Sequence, residues 1–139
     1  MLYRIIYVSR PTADFDNSDL RTILEASRRN NPRLGVSGAL LFNSGFFLQW
    51  LEGGRQSINE RFATIMRDPR HQQVEILNYE PITCREFSDW AMGYLGEGAF
   101  NAKLFYKFSN LDHFDPYLLS SESAVAFLLE ARRNSYELK

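Results

Sequence analysis

The sequence predicts an α+β protein with a ferredoxin-like βαββαββ sandwich, both helices on one sheet face, followed by C-terminal helices. Three observations carry this. Apolar residues alternate with period two in several short runs before Leu95. Between those runs, two segments hold apolar side chains at helical spacing, led by Leu20-Ile23-Leu24 and by Ile58-Phe62-Ile65. Asn43-Ser44-Gly45 has the chemistry of a tight hairpin turn between two strand-like runs.

The first strand covers Leu2 to Val8, with Tyr3, Ile5 and Tyr7 on one face and Arg4 and Ile6 on the other. Asn17 or Ser18 is expected to cap the first helix, which turns Leu20, Ile23, Leu24 and Ser27 inward and Arg21, Arg28 and Arg29 toward water. That helix should stop near Asn30-Asn31-Pro32, because a residue before proline is pushed out of the helical region. Gly35 to Phe42 and Phe46 to Glu52 form an antiparallel pair across the turn. Ser57 and Glu60 have capping-box spacing ahead of Ile58, Phe62, Ile65 and Met66, so a second helix starts there or a turn earlier. Asp68-Pro69 ends it.

Val74 to about Pro81 reads as a fourth strand, and Asp89 to Leu95 as a short fifth with Trp90, Met92 and Tyr94 on one face. Lys103 to Phe108 and Glu122 to Arg132 read as helices, the latter with Val125, Ala126, Leu128 and Leu129 at helical spacing. The split βαβ order makes strands one and three central, parallel neighbours, so that Tyr7 and Gln49 project into one space beneath the two helices. Residues 1–97 are expected to form one unit and residues 98–139 a helical extension.

Composition narrows the function classes. The 139 residues suit one domain, and 45% hydrophobic with 14% aromatic residues supply a full core. Sixteen Lys and Arg against seventeen Asp and Glu leave a net charge of -1, so no global field recruits nucleic acid or an anionic membrane. The single cysteine, Cys84, excludes an internal disulfide and a thiolate metal cluster. The N-terminal MLYRIIYVSR is too short in apolar residues for a signal peptide or a membrane span, which points to a cytoplasmic protein.

The chemistry centres on Gln49. It shares a strand face with Phe47 and Leu51, so a covered sheet would surround its amide with apolar groups. A buried amide without partners costs about 1–3 kcal/mol, so both its ends need polar company. Tyr7 and backbone groups are one source; a ligand edge of alternating donors and acceptors, such as a flavin ring, is another. Cys84 with His71 or His113 lacks an orienting carboxylate for nucleophilic catalysis, and Gly53-Gly54 lacks the lysine and spacing of a phosphate loop.

LYRIIYVS, RRNNPRLGVSGALLF, FFLQWLEG, DPRH and FSDWAM occur in order between residues 2 and 95, and this set resembles the BLUF family of flavin-binding blue-light sensors. The resemblance implies that Tyr7, Gln49, Trp90 and Met92 form the photoactive group. It implies a flavin-binding set of Ile23, Ser27, Asn30, Asn31, Phe47, Gln49, Ile65, Asp68 and His71, with Asn31 on the polar edge of the ring and Arg70 beside Asp68. It implies FAD, or FMN, held without a covalent bond. Blue light would then drive an electron and a proton from Tyr7, and rotation or tautomerisation of Gln49 would store the signal. One departure is visible: some short members have a helix-two arginine where this chain has Thr64.

The same resemblance implies a sensor without catalysis of its own, passing its signal through the fifth strand and C-terminal helices to a protein in trans, with self-association expected. Leu48 and Trp50 lie on the second sheet face, either for a subunit interface or to support the C-terminal helices. The rival reading is a flavin-free ferredoxin-like interaction or metabolite-binding module.

Overall fold

The computed structural model describes residues 1–96 and 102–134. A sheet of five strands, β1 (Leu2–Pro11), β2 (Ser37–Asn43), β3 (Phe46–Gly54), β4 (His71–Ile82) and β5 (Gly93–Leu95), is ordered β4-β1-β3-β2-β5. Helices α1 (Asn17–Leu34) and α2 (Arg55–Arg67) lie in the crossovers, and α3 (Ala102–Tyr106), a 3₁₀ turn (Pro116–Leu118) and α4 (Ser121–Asn134) follow. The expected ferredoxin-like α+β layout is present. The expected boundary between residues 97 and 98 lies outside the described residues.

One relation differs from the sequence reading. β1 and β3 are central neighbours but antiparallel, with Tyr7 opposite Gln49. The hairpin reverses β3 relative to β2, so the crossover through α1 makes β1 parallel to β2, with β3 running oppositely between them. Ser44 and Gly45, with φ of 53° and 79°, form that hairpin's tight turn.

Helix α1 is capped by Asp16, one residue before the expected Asn17 or Ser18, and Asp16 accepts from Ser18 N and Asp19 N at 2.9 and 3.0 Å. It also passes through Pro32 to Leu34 instead of stopping there. Asn31 is anchored by its own side chain, whose Nδ2 donates to Ala91 O at 2.9 Å, and Gly35 in the left-handed region closes the helix with its N–H on Pro32 O. Helix α2 begins after Gly54, and Ser57 lies inside its first turn rather than at its cap. Ile58 and Ile65 are buried and Phe62 is half-buried, whereas Met66, rotated about 100° past Ile65, is 53% exposed.

The strand faces separate two cores. Ile5, Tyr7, Leu40, Phe47 and Leu51 meet Leu20, Leu24, Ile58 and Ile65 of the two helices. On the other face Ile6, Val8, Leu41, Leu48 and Trp50 meet the C-terminal segment, so Leu48 and Trp50 support those helices. The buried stripe of α4 is Ala124, Phe127, Leu128 and Ala131; Val125 and Leu129 sit at its rim, a rotation of the expected face. Arg4 ties this layer to the sheet edge: its Nε donates to Asn78 Oδ1 at 2.8 Å, and Asn78 Nδ2 donates to Ser121 Oγ at 2.7 Å. No helix among the described residues is long and apolar enough to cross a membrane.

The fifth strand is shorter than its alternation suggested. Trp90 N–H donates to Phe87 O at 2.9 Å and Trp90 O accepts from Gly38 N–H at 3.0 Å, a turn that keeps residues before Gly93 out of the ladder. In consequence Trp90 and Met92 fall in opposite cores, Trp90 beneath the C-terminal helices and Met92 beneath α1 and α2. The turn is pinned by Glu52, a fully buried carboxylate accepting from Ser37 Oγ, Trp50 Nε1, Glu86 N and Phe87 N at 2.7 to 2.9 Å. A Cβ on Gly93 would lie 1.8 Å from Trp90 Cε3. Gly93→Ala is therefore expected to lower unfolding free energy by about 1–3 kcal/mol in urea titrations; an unchanged midpoint would contradict this packing.

Candidate functional site

The antiparallel register makes Tyr7 and Gln49 direct cross-strand partners on the helix-covered face. Both are buried, and the Tyr7 hydroxyl donates to Gln49 Oε1. Gln49 Nε2 donates to Met92 Sδ at 3.4 Å. A single line of contacts thus runs from phenol to amide to thioether. Burial pushes the Tyr7 phenol well above its ordinary pKa, an effect that Arg61 opposes and Asp68 reinforces, so the phenol keeps its proton and is the donor.

A cleft of about 200 Å³ opens over this pair between α1 and α2. Ile23, Ala26, Ser27 and Asn30 form its α1 wall, and Arg61, Thr64 and Ile65 its α2 wall. Asp68, Arg70 and His71 close one end, where α2 gives way to β4. A second cleft of about 430 Å³ shares Asn30, Arg61 and Thr64 as walls. Together they form a groove whose floor carries Tyr7 and Gln49.

The end group is electrostatically ordered. Arg70 donates to both oxygens of Asp68, Nε to Oδ1 at 3.0 Å and Nη2 to Oδ2 at 2.7 Å, and holds that carboxyl below the ordinary carboxylate range. His71 packs against Phe47 with ring centroids 4.7 Å apart and planes tilted by 58°, and shares a 3.0 Å hydrogen bond with Ser9 Oγ. Burial lowers its pKa, so the imidazole is neutral at pH 7.

Of the residues singled out in the sequence, Tyr7, Ile23, Ser27, Asn30, Gln49, Ile65, Asp68 and His71 line one cleft. Asn31 and Phe47 are fully buried behind its walls, and Met92 is reached through Gln49. Trp90 is not brought to the site; it packs on Phe87 across the sheet, with ring centroids 5.2 Å apart. Cys84 is exposed, and His71 and His113 are engaged with Ser9 and Asp112. Ala26 and Arg61 are further lining residues that the sequence pattern does not mark, although Arg61 stands four residues before Ile65 on one helical stripe.

Residues 2–93 match the family described as BLUF, sensors of blue-light using FAD. The chain belongs to the BLUF family. BlrB, a BLUF protein solved in its dark state, is 35% identical with a TM-score of 0.75 over 94% of this chain and 93% of its own. The ground state of BlsA is 28% identical with a TM-score of 0.86, covering 94% and 87%. The alpha subunit of the photoactivated adenylate cyclase of Euglena gracilis is 36% identical over 93 residues, 66% of this chain. This chain spans only about a tenth of such cyclase subunits, 9% in that case and 11% for the beta subunit.

The BLUF site can be tested for its fit to a flavin on two atoms. Asn31 Oδ1 and Arg61 Nε are buried and have no hydrogen-bond partner among the described residues. An orphan acceptor and an orphan donor, near apolar walls and an amide with an N–H to spare, suit a flat heterocycle with a polar edge. The groups fit.

Neutral, buried His71 makes an acid-side prediction. As pH falls through the unfolded value near 6.5, the unfolded chain takes the proton first and stability drops toward the lowered folded pKa. Urea midpoints between pH about 7 and about 5 should fall in the wild type and fall less in His71→Gln. Equal slopes would remove His71 from the acid response.

Proposed function

We propose that this chain is a blue-light photoreceptor that binds a flavin non-covalently, FAD in the first instance with FMN able to use the same ring site, and signals to a partner protein. The observation that supports it most is the Tyr7–Gln49–Met92 line on the floor of a groove. Ile23, Ser27, Asn30, Asn31, Phe47, Gln49, Ile65, Asp68 and His71 are the flavin-binding set in this reading. Bound flavin supplies the blue absorption and, when excited, an electron acceptor.

Every further step belongs to the protein. Tyr7 would give up an electron to the excited flavin and its phenol proton along the hydrogen bond to Gln49 Oε1, and both would return to Tyr7 as the flavin is reoxidised, leaving the arrangement of Gln49 as the lasting change. Gln49 is asymmetric, oxygen toward Tyr7 and nitrogen toward Met92. Rotating the amide exchanges these ends: nitrogen meets the phenol, oxygen meets a thioether that has no proton to donate. The rotated state therefore loses its bond to Met92 and must take its partners elsewhere, which makes it a distinct second state.

Met92 is well placed to convey the change. Arg28 Nε donates to Met92 O and Asn31 Nδ2 to Ala91 O, each at 2.9 Å, so α1 grips the backbone that leads to Trp90. Trp90 lies against the core that seats α4. In this reading residues 1–97 sense, residues 98–139 relay, and the chain has no catalysis of its own. It works in the cytoplasm as a homo-oligomer; Ile76 and Tyr79, exposed on edge strand β4, offer a surface for self-association.

Purified protein should be yellow, release its flavin on denaturation, and show an absorption band that moves reversibly to the red under blue light. Tyr7→Phe should keep the colour and lose the light-induced shift. A colourless wild type would favour a flavin-free interaction module, and an unaltered shift in Tyr7→Phe would remove that phenol from the photochemistry.

A further inference from the structure

The flavin-binding set above leaves out Arg61, a cation that lines the groove. Arg61 lines both clefts, its Nε is buried without a partner, and among the described residues its guanidinium joins no ion pair. A guanidinium is the strongest fixed donor a side chain offers, and leaving one buried N–H unused is unfavourable unless something outside the chain takes it.

Thr64, one turn further along α2, does not supply this donor. Its Oγ1–H is spent on Glu60 O at 3.1 Å, and the residue is exposed. Arg61 lines the same groove one turn before Ile65. Asn31 Oδ1 is the complementary orphan, an acceptor. Those are the two buried side-chain atoms without partners among the described residues. The polar edge of an isoalloxazine ring carries an imide N–H between two carbonyl oxygens, which calls for an acceptor at the N–H and a donor at each flanking oxygen.

Resting on the flavin reading, we propose that Arg61 is a flavin-positioning residue: its Nε–H donates to a carbonyl oxygen of the ring's polar edge while Asn31 Oδ1 accepts from the adjacent imide N–H. The same guanidinium places a positive charge beside the part of the ring that gains negative charge on reduction. It also acts on Tyr7, where it opposes the effect of burial on the phenol. Arg61 thereby sets both how tightly the flavin is held and how readily it accepts an electron.

The test is titration of the unloaded full chain with FAD and, separately, FMN, followed by fluorescence quenching, together with the midpoint potential of the bound flavin. Arg61→Gln is expected to weaken binding at least tenfold and to make the potential more negative. Arg61→Lys, which keeps the charge and loses the Nε–H, should recover the potential more than the affinity. Urea midpoints of the unloaded variants separate a loss of flavin from a loss of fold. Wild type that binds, with Arg61→Gln equal to it in affinity and potential, overturns this proposal alone; wild type that takes up neither flavin overturns it together with the flavin reading.

Discussion

The hydrogen bond from the Tyr7 phenol to Gln49 is the interaction around which the rest of the molecule is arranged. It exists because β1 and β3 are adjacent and antiparallel in a register that sets Tyr7 opposite Gln49, and because the helices roof the face to which both side chains point. In water such a contact would be one of many exchangeable bonds. Buried between Phe47, Ile65 and the helix walls, it is expensive to break without a substitute, and that cost makes its geometry specific. The sheet order, the short hairpin at Ser44-Gly45 and the cap at Asp16 all serve to fix those two strands and the roof above them.

The sheet also divides the protein into two cores, and the segment from Trp90 to Met92 reaches into both. Met92 touches Gln49 from the helix side, while Trp90, two residues earlier, is packed beneath the C-terminal layer. Gly93 has no room for a side chain against the Trp90 ring, and Glu52 pins the same turn by accepting from Glu86 N and Phe87 N. Close packing of this kind does not stretch continuously; it shifts between arrangements. In the proposed relay, a change in the Gln49–Met92 contact would pass through this turn to the α4 layer.

Much of this was legible in the sequence, and the misreadings have physical causes. The pleat, which sends alternate residues to opposite faces, grouped Tyr7 with Ile5 and Gln49 with Phe47 and Leu51, even though both strands are buried on both faces. Strand direction leaves no such trace, and β1 and β3 are antiparallel despite the parallel expectation. Pro32 was given its usual helix-ending weight, which the Asn31 bond to Ala91 and the Gly35 cap override. Trp90 and Met92 were placed on one face by a pattern that belongs to strands, whereas Trp90 sits in a turn. Arg61 was passed over because charge on a helix ordinarily marks the wet face; only coordinates reveal a guanidinium nitrogen buried in the groove.

The most direct test of Gln49 as the switch is the NMR signal of its side-chain amide, isotopically labelled in the flavin-loaded protein and assigned by comparison with Gln49→Glu. In darkness the two amide protons should be inequivalent and slow to exchange, one held at Met92 and neither at Tyr7; under blue light the pair should move to new shifts and return in the dark. An amide whose shifts and exchange are identical in light and darkness, while the flavin absorption band still moves, would contradict the switch.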